Sequence, residues 1–128
     1  MASCVADTSW LVGLLNADDD FHKSAIAEAS TMEQIHVPPA ILAETLSFIK
    51  YRTGKVESTR EAVRFLSSKA NVALSSPDHD HEATMRYWDA HPKLSYHDAA
   101  AVAAAKRLGI GICSFDDHQR DALSSGKP

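Results

Sequence analysis

The sequence predicts an α/β fold, a three-layer α/β/α sandwich with a mainly parallel central sheet. Short apolar stretches of buried-strand length recur at residues 3–6, 35–37, 71–74 and 110–115. Patterns of apolar residues at helical spacing separate them, giving the order β-α-α-β-α-α-β-α-α-β-α. Connections that long are crossovers rather than hairpins, so the strands pair in parallel and helices cover both faces. A length of 128 residues suits one domain, 1–128, with a single core.

The first strand runs straight into Asp7-Thr8-Ser9, three residues that suit a helix N-cap, and Trp10, Leu11, Leu14 and Leu15 then recur at helical spacing. Asn16 to Asp20 breaks that helix, and Asp18, Asp19 and Asp20 are read as the solvated start of a helix over 21–32, with cation binding as the less ordinary alternative. After the second strand, Pro38-Pro39 opens a helix reaching about Arg52, with Ile41, Leu42, Leu46, Phe48 and Ile49 on its apolar face. Glu44 lies at the edge of that face, a boundary residue reaching water or a carboxylate aimed into a cleft. The next helix, over 58–69, turns Ala62, Val63, Phe65 and Leu66 inward.

A helix is expected over 78–91, ended by Pro92. Its Asp78-His79-Asp80-His81-Glu82 start looks metal-like, but i, i+2 spacing sends the two histidines to different faces, so it reads as a polar helix start. Ser95 and Asp98 then mark a helix start, six alanines between 99 and 105 make a thin helix, and Gly109 stops it. The last strand ends on Asp116 and Asp117, ahead of a final helix.

Composition excludes several function classes. No apolar run approaches the ~20 residues of a membrane span. Met1 to Trp10 lacks a basic segment before an apolar one, which argues against a signal peptide and for a cytoplasmic location. Cys4 and Cys113 both fall in predicted strands, and two buried free thiols are expected in a reducing cytosol, a bridge requiring neighbouring strands. With 13 Lys and Arg against 17 Asp and Glu, a net charge of −4 excludes nucleic-acid binding through overall charge alone. No nucleophile elbow, P-loop or dinucleotide fingerprint is present.

What remains is acids at strand ends. Asp7 and Asp116 each follow a strand, Asp98 opens the helix leading to the last strand, and Glu44 sits on the helix after the second. Each has an ordinary alternative: Asp7 as an N-cap, Asp98 as the third residue of a capping box, Asp116 or Asp117 as a cap for the final helix. Right-handed crossovers can bring the carboxyl ends of the first and last strands to one crevice. Carboxylates gathered there repel unless protonated or joined by a divalent cation, and oxygen-only donors favour Mg²⁺ or Mn²⁺ over zinc. His97, beside Asp98, invites a general-base reading, with a neutral surface histidine as the more ordinary role.

These residues resemble the PIN-domain nucleases. The likeness rests on Asp7-Thr8-Ser9 after a short strand, Glu44 in Ala43-Glu44-Thr45-Leu46, the block Leu94 to Ala101, and the ending Cys113-Ser114-Phe115-Asp116. It covers essentially the whole chain and is greatest toward the compact VapC-type toxins of toxin–antitoxin pairs. The resemblance implies that Asp7, Glu44, Asp98 and Asp116 form an acidic metal site supported by Thr8 and Ser114. It implies Mg²⁺- or Mn²⁺-dependent hydrolysis of RNA phosphodiesters by a metal-activated water, a homodimer, and inhibition by an antitoxin whose tail occupies the cleft. Where the family often has an aromatic after the last acid, this chain has Asp117-His118-Gln119-Arg120, which leaves the fourth acid between Asp116 and Asp117. Single-stranded or loop RNA is the expected substrate. Lys50, Arg52 and Lys55 are candidate phosphate contacts, or simply a solvated turn. A non-toxin PIN nuclease of RNA processing and a catalytically inactive partner-binding domain are the competing readings.

Overall fold

The computed structural model describes residues 2–74 and 81–124, the side chains of His81 and His118 excepted. The elements are β1 (Ser3–Ala6), α1 (Thr8–Leu15), α2 (His22–Thr31), β2 (Gln34–His36), α3 (Pro39–Thr53), α4 (Val56–Ser68), β3 (Val72–Ala73), α5 (His81–Ala90), α6 (Tyr96–Leu108), β4 (Gly111–Cys113) and α7 (Asp117–Ser124). This is the order read from the sequence. Asp78, His79 and Asp80 of the acid–histidine run lie outside the described residues.

All strand pairs are parallel, in the order β3-β2-β1-β4. Two crossovers step outward from β1, and the third returns past it to place β4 on its other side. Under right-handed geometry that reversal sends the helices to opposite faces of the sheet, the three-layer sandwich, and opens a crevice between the carboxyl ends of β1 and β4. The register sets Ala6 against Cys113, and the Asp7 amide donates to the Cys113 carbonyl at 3.1 Å, so the ladder runs to the lip of the crevice.

The core gathers Val5, Trp10, Leu11, Leu14, Ile35, Val37, Ile41 and Leu66 with the alanines of α6. Residues Ala99 to Ala105 are all buried, because α6 is packed on several sides, by α3, α5, α7 and strands β1 and β4. Only small side chains permit so many close neighbours. A Ser95–Asp98 capping box starts α6, and Gly109 ends it at φ +67°, a left-handed conformation that glycine adopts without strain.

Three expectations change. Cys4 and Cys113 are joined as a disulfide, with Cα atoms 5.9 Å apart, rather than being two free thiols. The sheet order makes β1 and β4 neighbours, which is the condition the bridge required. The last strand stops at Cys113 instead of reaching Phe115, because the Phe115 amide donates to the Ser9 hydroxyl and not to a strand. Phe48 and Phe65 are not sealed in the core; both border an apolar groove of about 530 Å³ among α1 to α4.

Candidate acid-lined active site

β1 delivers Asp7 to the crevice, where it also caps α1. The Trp10 amide donates to its Oδ1 at 2.8 Å, Ser9 donates to both of its oxygens at 3.0 and 3.1 Å, and the Ser114 hydroxyl donates to Oδ2. The cap predicted for this position and the cleft carboxylate are thus one residue. At 1% exposure, burial is the main influence on Asp7; with added repulsion from Asp98, it pushes the carboxyl up to about 6 against the lowering effect of those donors.

Asp98 is placed by its capping box: its amide donates to the Ser95 hydroxyl at 3.1 Å, and its Oδ2 accepts from the Ser95 amide at 3.4 Å. Partial burial raises its carboxyl above the usual range, and the negative charges of Asp116 and Glu44 add to that rise. Asp7, Asp98 and Asp116 line one cleft of about 420 Å³, together with Thr8, Ser9, Val12, Asp19 and three phenylalanines. Asp117 instead opens α7, exposed to solvent.

Glu44 sits at the edge of this group rather than among the cleft-lining side chains. Thr8 donates to its Oε1, and His97 Nδ1 lies 2.9 Å from its Oε2. His97 is a partly exposed surface histidine, as expected, and it also has a specific carboxylate partner. Lys50, Arg52 and Lys55 are exposed along the end of α3, and Arg52 lies over the Phe48 ring at 5.7 Å.

Several supports were not legible beforehand. Gln119, fully buried, donates from Nε2 to the Asp98 carbonyl at 2.9 Å, and Arg120 Nε donates to the Ser114 carbonyl at 2.8 Å. Together they tie α7 to the turn after β4 and to the start of α6. Asp19 belongs to the cleft, not only to a solvated helix start; its Oδ1 accepts from the Phe21 amide at 2.9 Å. A polar residue after a strand-end acid was the available signal for Gln119, but burial decides such a role.

The donors suit a hard divalent cation. Asp7 and Asp98 are held above their ordinary range partly by negative neighbours, a cost that a cation would offset. Among the described residues, no group of three or more Asp, Glu, His or Cys side chains is gathered tightly enough to form a metal cage by itself. Mg²⁺ does not demand one: it keeps several waters and takes one or two carboxylates, unlike structural zinc.

Family comparison agrees with this architecture. The family model for the PIN domain matches residues 4–122. The chain belongs to the PIN-domain family. No curated protein sequence matches it. Among solved structures, this PIN domain is similar to VapC20 of Mycobacterium tuberculosis, a sarcin–ricin loop cleaving toxin, at 21% identity and a TM-score of 0.74 over 98% of this chain and 96% of that one. It is also similar to FitAcB of Neisseria gonorrhoeae, at 13% identity and a TM-score of 0.66 over 94% and 93% of the two chains. VapBC2 of Rickettsia felis, bound to a DNA fragment from their promoter, gives 13% identity and a TM-score of 0.61 over 89% and 88%. At these identities the likeness shows a common fold.

Proposed function

We propose that residues 1–128 form one catalytic domain, a divalent-metal-dependent endoribonuclease acting as the toxin of a toxin–antitoxin pair in the cytoplasm. The observation that carries this reading is the convergence of Asp7, Asp98 and Asp116 on one cleft at the switch point of a parallel sheet. The toxins among the similar structures support the biological role, and the RNA-cleaving activity named for VapC20 supports the substrate class. The antitoxin partner and a homodimer belong to the same proposal.

Asp7, Asp98 and Asp116 would hold Mg²⁺ or Mn²⁺, with Glu44 at the edge of the group. When bound, such an ion supplies Lewis-acid polarisation of the phosphodiester and a water of lowered pKa. Ser9 and Ser114 fix the Asp7 carboxylate, the capping box fixes Asp98, and Thr8 with His97 fixes the orientation of Glu44. Asp7, Asp98 and Glu44 are thus oriented by groups of the protein itself.

Asp98→Asn tests the reading. The amide can still accept at the capping box, so loss of capping should cost at most ~1 kcal/mol. What it removes is a charge from the cleft, so cleavage of single-stranded RNA in Mg²⁺ should be abolished while the metal-free melting temperature is kept or raised. A purely capping role gives the opposite pattern, a small loss of stability with cleavage intact. Toxicity on expression, relieved by a small protein encoded immediately upstream, separates a toxin from an RNA-processing enzyme.

A further inference from the structure

Beside the acids, the cleft carries an aromatic feature that the proposed chemistry does not use. Phe21 and Phe115 stack with ring centroids 4.4 Å apart and planes 16° from parallel, and Phe21 remains 50% exposed. Both rings, with Phe48, line the same cleft as Asp7, Asp98 and Asp116. The pair is braced on its α1 side and open to solvent at Phe21. Gly13 lacks the Cβ that would come within 3.3 Å of the Phe115 ring and 3.6 Å of Asp19, so Phe115 packs directly on α1. The Phe115 amide is bonded to Ser9, and the Phe21 amide to Asp19. His22 Nδ1, the next residue's ring, meets the Gly13 carbonyl at 2.8 Å and fixes the start of α2 against α1.

Among the described residues lining this cleft, none is lysine or arginine. A phosphate backbone entering it meets carboxylates, and protein cations do not supply its binding energy there. An unstacked base has no such penalty: its neutral face gains by stacking on an aromatic ring whatever its identity. We infer that the Phe21–Phe115 pair is a stacking platform for one unpaired nucleobase of the RNA substrate, next to the phosphate to be cut. The inference rests on the nuclease reading and sharpens it. A base that must leave its helix to reach Phe21 selects single-stranded segments and loops over duplex, with little preference for sequence. Arg52, over Phe48 at the rim, is placed to meet the backbone outside the acid zone.

The test uses a single-stranded oligoribonucleotide containing 2-aminopurine, whose fluorescence falls on stacking. Binding is followed with Phe21 variants in the Asp98→Asn background, which is expected to leave the probe intact, and KM and kcat are measured in the otherwise wild-type chain. Phe21→Ala and Phe21→Leu should both lose the quenching and raise KM about tenfold, with kcat little changed. Phe21→Tyr and Phe21→Trp should restore both, which a role in apolar packing alone would not require. Leucine behaving as phenylalanine overturns the platform, as does unchanged quenching in Phe21→Ala. A Phe21→Ala defect confined to inhibition by the antitoxin also overturns it and assigns the ring to peptide docking. Phe21-dependent quenching without cleavage by the wild-type chain refutes the nuclease reading and leaves the platform standing. Cleavage that ignores Phe21 does the reverse, and neither cleavage nor quenching removes both.

Discussion

Asp7 is nearly sealed from water, yet three donors point at its carboxylate, and burial still outweighs them to hold its pKa at about 6 against an ordinary 3.8. The sign of the linkage follows. The folded chain binds this proton more tightly than the unfolded chain, so its contribution to stability is greatest below pH 3.8 and is lost as pH rises through about 6. Complete, that loss is worth about 3 kcal/mol. Asp98, also raised, acts in the same direction. Metal-free protein should therefore melt higher at pH 5 than at pH 7.5, and Mg²⁺ should recover stability at the higher pH by favouring the ionised form. Asp7→Asn keeps an acceptor for the Trp10 amide while removing the charge, so it should flatten this pH difference and raise the melting temperature at pH 7.5 in chelator. An Asp7→Asn chain with the wild-type pH slope would show that Asp7 is not the group responsible. The position of Asp7 was legible because a strand end and an N-cap leave local sequence marks. Its hydrogen bond from Ser114, 107 residues away, leaves none.

At the scale of elements, α1 and α6 show which features a sequence displays. The alanine run of α6, its capping box and its glycine stop are local, and each stood where it was read. The exposure of Phe21, Phe48 and Phe65 was not readable, because apolar periodicity marks a face without saying what covers it. Gly13 was silent too. A glycine inside a helix costs about 1 kcal/mol relative to alanine, and here the missing side chain makes room for the Phe115 ring. Gly13→Ala sets that helix gain against a 3.3 Å contact with Phe115, a ring whose stacking partner is half exposed and free to yield. The melting temperature should hold or rise slightly, while KM for single-stranded RNA increases as the Phe115–Phe21 stack is displaced. A lowered melting temperature with unchanged KM would mean that the ring does not move and the helix absorbs the clash.

Over the whole molecule, the proposed site depends on strand order more than on any single strand. Four acids spread from residue 7 to residue 116 approach one another because the sheet runs β3-β2-β1-β4 and reverses beside β1. The parallel class followed from the alternation of elements; the adjacency of β1 and β4 depends on pairings far apart in sequence. That adjacency also brings Cys4 to Cys113, the pair expected as free thiols. The bridge closes a loop with a sequence separation of 109 between the two strands that lead into Asp7 and into Ser114, its hydrogen-bond donor. A cross-link of that span restricts the unfolded chain by ~5 kcal/mol in the loop-entropy account. Losing it should lower the melting temperature by on the order of 20 °C. Alanine replacements separate the bond from ordinary packing. Cys4→Ala alone, Cys113→Ala alone and the double replacement should show nearly the same loss, since each breaks the same link. Two independent buried thiols would instead give smaller losses that add. Alkylation at the moment of lysis, followed by a thiol count in denaturant, should find none in the wild-type chain; two alkylated cysteines would show that the strands meet in the cell without the bond.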